Sequence, residues 1–207
     1  MKSDVVQIYS DLTGRREAMS SAEKFIQYHN FTGKNAMHIR LLTEELISMI
    51  HGIMDKCEGN LWFESENTKD GILCHICLSA DKEVDPEQEE QLLSVSSSGK
   101  NEDAKGILGK IRESFRISTQ YSANEMYMNE YMTANSWYGM GIYCEPDMDV
   151  QCWSLRSYQN YLSENKEQSK EEWDELEKSI IAKLADEVKV WLKFTKTEVV
   201  IDKLIKV

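Results

Sequence analysis

Proline is scarce, with only Pro86 and Pro146 in 207 residues, so little in the chain would interrupt long helices or impose rigid turns. Long apolar runs are missing as well. Nothing approaches the roughly 20 consecutive apolar residues needed to span a bilayer, and the N-terminal MKSDVVQIYSD, with Asp4 and Asp11, lacks the apolar stretch of a signal peptide. The expectation is a soluble, cytoplasmic protein with no membrane association. Positive charge is in deficit, with 24 Lys and Arg against 36 Asp and Glu and a formal net charge of -12. Contact with a phosphate backbone needs clustered Lys and Arg, so this balance argues against general nucleic-acid binding and favours a partner with a basic surface. The four histidines, His29, His38, His51 and His75, show no metal-ligand spacing and have no Ser or Cys nucleophile motif beside them. They read as helix-flank or strand residues.

Five cysteines, Cys57, Cys74, Cys77, Cys144 and Cys152, form an odd set in a chain without an export signal, which predicts reduced thiols. The CHIC tetrad at 74–77 has the spacing of a redox or metal pair. It lies, however, in ILCHICLSA (72–80), which reads as a buried strand, and strand residues three apart point to opposite faces. No second ligand pair at matched spacing is evident, so these thiols are read as small buried hydrophobes.

A hydrophobic fraction of 41% suffices for a real core, and the length suits a single domain over 1–207. A short alternating strand is predicted at 5–9, followed by a helix at 15–30 with Ala18, Ala22, Phe25 and Ile26 on one face. A second helix follows the turn at 32–35 and runs to about residue 55. Within it, RLLTEELISMIHGI (40–53) completes a stripe of Ile39, Leu42, Leu46, Met49, Ile50 and Ile53 with Glu44 and Glu45 among them, Glu45 at its edge. Gly59 and Asn60 precede a strand at 61–66, which 67–71 joins to the strand at 72–80 as a hairpin.

The run DKEVDPEQEE (81–90) holds six acidic residues against one lysine and reads as a solvated loop entering a short helix. Residues 92–115, LLSVSSSGKNEDAKGILGKIRESF, place a Ser- and Gly-rich loop ahead of an apolar helix. The stretch 117–165 is rich in Tyr, Met, Asn and Trp and reads as an insertion or extension, with short strands at 142–144 and 151–155. A capping box of Ser169 and Glu172 opens an amphipathic helix through Trp173, Leu176, Ile180, Leu184 and Val188. A strand over 198–207 closes the chain.

This order of elements resembles the ATP-binding fold shared by sensor histidine kinases, the Hsp90 and gyrase ATPases and, above all, the anti-sigma-factor serine kinases. The matching pieces are AEKFIQYHNFTGKNAMHIRLLTEELISMI, the hairpin to ICLSAD, and SSSGKNEDAKGILGKI, which together cover roughly residues 18–116. The resemblance implies an α+β, two-layer sandwich in which a mixed, mostly antiparallel sheet is covered on one face by helices. It also assigns roles. Glu44 and Glu45 match an acidic pair whose Glu, here Glu45, serves as catalytic base. Met49 stands where the family has a magnesium-ligating Asn, and a thioether is a poor ligand for a hard cation. Asp81 matches the residue that accepts the adenine amino group, but Glu83 and Asp85 replace the glycines at the next alternate positions and add negative charge where a triphosphate would lie. Gly99, Lys100, Asn101, Gly106, Gly109 and Lys110 match the lid and second glycine box, where free amides and lysines can cradle phosphate.

The expectation is therefore a regulatory protein with a degenerate ATPase fold. It would need no cofactor and act by binding a protein partner, such as a sigma factor or an anti-sigma antagonist, with a homodimer left open. The alternative is an active ATP-dependent serine/threonine kinase, with ATP and magnesium, that uses Glu45 as base and the lid lysines for phosphate. A third reading is another helix-on-sheet fold in which the order of motifs is accidental.

Overall fold

The computed structural model describes residues 1–9, 11–53, 58–81, 142–144, 151–165, 170–193 and 196–206. Alternation of buried and half-buried residues in β2 (Glu58–Thr68) and a near-continuous apolar run in β3 (Gly71–Asp81) set the central hairpin. Their antiparallel register places Leu61 opposite Leu78 and Phe63 opposite Ile76, so every second residue of both strands faces the same core. The connection closes tightly, with the Thr68 hydroxyl donating to the Gly71 carbonyl at 2.9 Å. Gly71 has φ +144°, and a Cβ there would lie 2.1 Å from the Ile205 carbonyl oxygen, so only glycine fits.

Among the described residues, five further strands belong to the sheet: β1 (Val6–Tyr9), β4 (Ile142–Cys144), β5 (Gln151–Ser154), β6 (Glu187–Lys193) and β7 (Lys196–Ile205). Their spatial order is β1-β2-β3-β7-β6-β5-β4, and each pairing is antiparallel. The expected mixed, mostly antiparallel sheet is thus wholly antiparallel among the described residues. Successive registers carry one apolar row across the sheet, from Val6 through Leu61, Leu78, Val199 and Val190 to Trp153. Its members from Leu61 to Trp153 are buried.

The helices α1 (Arg15–Tyr28), α2 (Gly33–Ile53), α3 (Leu155–Glu164), α4 (Lys170–Lys178) and α5 (Ile180–Leu184) contribute to one hydrophobic cluster with that row. They form a single layer over one sheet face, giving the α+β two-layer sandwich. Ala36, Ile39, Leu42, Leu46 and Ile47 of α2 are buried at helical spacing. Fully burying each large apolar side chain contributes roughly 1.5–3 kcal/mol. Two ion pairs link α1 and α2, the second of them long and half-exposed. Arg40 grips Glu23 with both carboxylate oxygens engaged, and Arg15 approaches Glu44 at 3.8 Å. The Arg40 guanidinium holds the Glu23 carboxyl below the usual carboxylate range.

The C-terminal part departs from the periodicity. The long helix expected through Val188 is divided at Ser179, whose backbone is extended and whose hydroxyl accepts from the Ala182 amide to start α5 anew. Val188 lies in β6, fully buried against the sheet, where it completes a cross-strand pair with Ile201. The Ser169 cap lies outside the described residues. Residue 155, expected as strand, begins α3 instead, because the Ser154 hydroxyl accepts from the Ser157 amide. The Leu155, Tyr158 and Leu162 stripe that follows is its buried face.

Candidate functional site

Helix α2 carries the predicted acidic pair across the strand that ends in Asp81. Ile39, Leu42 and Leu46 share the core with Cys74, Ile76 and Leu78 of β3, so the helix is seated directly on the hairpin. Its N-terminal half lies toward β7, where Lys203 acts electrostatically on His38. Its C-terminus, Ile53, leads through residues 54–57 into Glu58, the register partner of Asp81. The end of α2 and Asp81 therefore lie at the same end of the sheet. Asp81 also sits opposite Lys196 of β7. Met49 falls in α2 one turn beyond Glu45, toward that end.

The two glutamates differ. Glu44 is partly exposed and is engaged by Arg15 of α1. Glu45 is half-buried, and its pKa is raised first by desolvation and then by the adjacent Glu44 charge. Such a carboxyl holds its proton to higher pH than a solvated glutamate and is a better base once ionised. The lid residues Gly99, Lys100, Asn101, Gly106, Gly109 and Lys110, and also Glu83 and Asp85, lie outside the described residues. Of the predicted set, the structure thus brings Glu45 and Asp81 onto adjoining layers.

The sheet face opposite the helices carries chemistry that sequence reasoning passed over. One row, Glu64, His75, Asp202 and Glu187, crosses four strands in register. His75 Nδ1 lies 2.7 Å from Asp202 Oδ1, and Lys2 Nζ lies 3.0 Å from Glu64 Oε1. Strand alternation could have put His75 and Glu64 on the face away from the core; their pairing with Lys2 and Asp202 depends on the sheet order.

Cys77 lies on that face and Cys74 on the other, as the diverging strand geometry requires. Burial pushes both thiols up to about 12 from an ordinary 9.0, and Glu64 and Asp202 add to the effect at Cys77. A thiol held protonated is a poor nucleophile, so the proximity of Cys77 to the His75 and Asp202 pair does not make it a catalytic cysteine. In the folded protein, Cys74 and Cys77 are expected to alkylate with iodoacetamide at pH 7.5 at least about a hundredfold more slowly than after denaturation. Peptide mass mapping over a time course would read this, and comparable rates in the two states would refute the buried placement. Among the described residues, no group of three His, Cys, Asp or Glu is placed to hold a metal ion. Nor is any described helix long and apolar enough to cross a membrane.

No known family model matches the chain, and neither curated proteins nor solved structures give a match.

Proposed function

We propose that the chain is a cytoplasmic regulatory protein built on a degenerate histidine-kinase-like ATPase fold and that it works mainly by binding another protein, in the manner of an anti-sigma factor. The supporting observation is α2 itself. It lies over the hairpin and ends at the same end of the sheet as Asp81, as an ATP-site helix would, yet Glu44 is approached by Arg15 and Met49 stands where the resemblance expects the magnesium-ligating Asn. Magnesium takes hard oxygen ligands, so this helix suits an inherited scaffold better than a metal-dependent transfer site. With a net charge of -12, the partner surface would be basic, of the kind a sigma factor or an anti-sigma antagonist could present.

One observation favours the alternative, an active ATP-dependent serine/threonine kinase. Glu45 is a half-buried carboxyl with a raised pKa, as a general base would be. Thermal-shift and calorimetric titrations with ATP, with and without magnesium, separate the two readings, because a ligand that binds only the folded state raises its melting temperature. The expected result is no shift at millimolar nucleotide. A magnesium-dependent shift, accompanied by phosphate transfer that Glu45→Ala abolishes while binding persists, would establish the kinase instead.

A further inference from the structure

The four-residue turn between α1 and α2 (29–32) begins with one histidine, His29, and a second, His38, follows it within α2. His29 follows the last residue of α1. Its amide bonds back to the Phe25 carbonyl at 3.2 Å, Asn30 turns left-handed at φ 54°, and the Phe31 amide closes onto the Ile26 carbonyl at 3.0 Å. This 6→1 closure places the His29 ring among aromatic groups. It stacks on Phe31 with centroids 5.1 Å apart and meets Phe25 and Tyr28 edge-on at 4.8 and 4.9 Å. Phe25 in turn stacks on Phe63 of β2, so the ring is continuous with the core. His38 lies in the second turn of α2, within electrostatic reach of Lys203 of β7.

Each histidine buries one ring nitrogen, Nε2 of His29 and Nδ1 of His38, that has no hydrogen-bond partner among the described residues. A neutral imidazole tolerates this, because its unprotonated nitrogen needs no acceptor. An imidazolium would carry an N–H at both nitrogens, so protonation would leave a charged donor buried without an acceptor.

We propose that the α1–α2 joint is an acid-sensitive hinge, closed while His29 and His38 are neutral and opened locally when they gain a proton. The charged surroundings favour the neutral forms. The Met1 ammonium acts on His29, and Lys203 of β7 and Lys34 of α2 act on His38, opposed there, among the described residues, by Asp186 before β6. Desolvation is the larger cause at both rings, and both hold protons less well than a free histidine. The sign follows from linkage. A histidine whose folded pKa is depressed contributes stability that is fully present above the unfolded value near 6.5 and is lost as pH falls through the folded value. The neighbouring ion pair between Glu23 and Arg40 keeps its charge in that range and cannot produce the effect.

Native-state hydrogen exchange at pH 7.5 and 5.5 tests this. Protection of amides in residues 22–42 is expected to fall severalfold at the lower pH while the centres of β3 and β7 keep theirs, and His29→Phe with His38→Leu should remove the fall. An equal fall in the double variant, or none in the unaltered chain, would overturn the proposal. Should the variant not fold, ring-proton NMR titration of the unaltered chain decides. Titration of both rings below the ordinary histidine range supports the hinge, and titration at or above it refutes the hinge.

Discussion

Phe63→Ala is expected to lower the free energy of unfolding by about 3–5 kcal/mol, the range for removing a large aromatic side chain from a packed core. Phe63 has no exposed surface. It stacks on Phe25 of α1 with centroids 5.3 Å apart and pairs across the hairpin with Ile76, which continues to Ile201 of β7. Truncation would therefore empty the point where the first helix, the hairpin and the C-terminal strand meet. Rigid neighbours on three sides limit collapse into the space, which places the cost toward the upper end. Urea denaturation would show a lower midpoint with an unchanged slope. A loss under about 1 kcal/mol would mean that α1 is not seated on β2 as described.

Glu187→Ala should cost about 2–3 kcal/mol, although the residue looks like an ordinary acidic position at the start of a strand. The residue is 8% exposed, and its carboxylate accepts from the Ser154 hydroxyl at 3.1 Å, the Arg156 amide at 3.2 Å and the Val188 amide at 3.0 Å. Ser154 in turn accepts from the Ser157 amide at 3.2 Å, so one acid completes the N-terminal cap of α3 and ties it to β6. Its negative charge also complements the positive end of the helix dipole. Arg156 approaches at 3.8 Å but is largely exposed and adds little. The substitution would leave buried donors without an acceptor, whereas Ser154→Ala should cost only about 1 kcal/mol. Chemical denaturation of both single variants and the double variant would show strong coupling, since both act on one network. Additive losses would refute the relay.

Periodicity made much of this architecture legible. Ile39, Leu42 and Leu46 stood on a helical stripe, and all three are fully buried. The strand at 61–66 and the buried strand at 72–80 are both found in the hairpin; the first extends two or three residues further at each end and the second one residue. Less could be read after residue 165, where a stripe through Trp173, Leu176, Ile180, Leu184 and Val188 suggested one helix. Leu176 is buried in α4, but Val188 is buried in a strand, because an apolar residue satisfies either period. The Ser179 hydroxyl that restarts the helix is a local signal of the kind that spacing alone overlooks.

The candidate site divides in the same way. The positions of Glu45 on a helix and Asp81 at a strand end follow from local sequence, and both elements are found. That Arg15 engages Glu44 depends on how α1 lies against α2, and no spacing in the chain encodes it.

By itself the sequence determined the helices and strands of residues 15–53 and 58–81 and the apolar face of each of those helices, since those depend on neighbours within a few positions. Only the tertiary structure decided that β7 lies beside β3, that Glu187 caps a helix begun more than thirty residues earlier, and that His29 and His38 bury a ring nitrogen each. Those outcomes depend on which surfaces meet, and the meeting is selected by burying the whole apolar row at once.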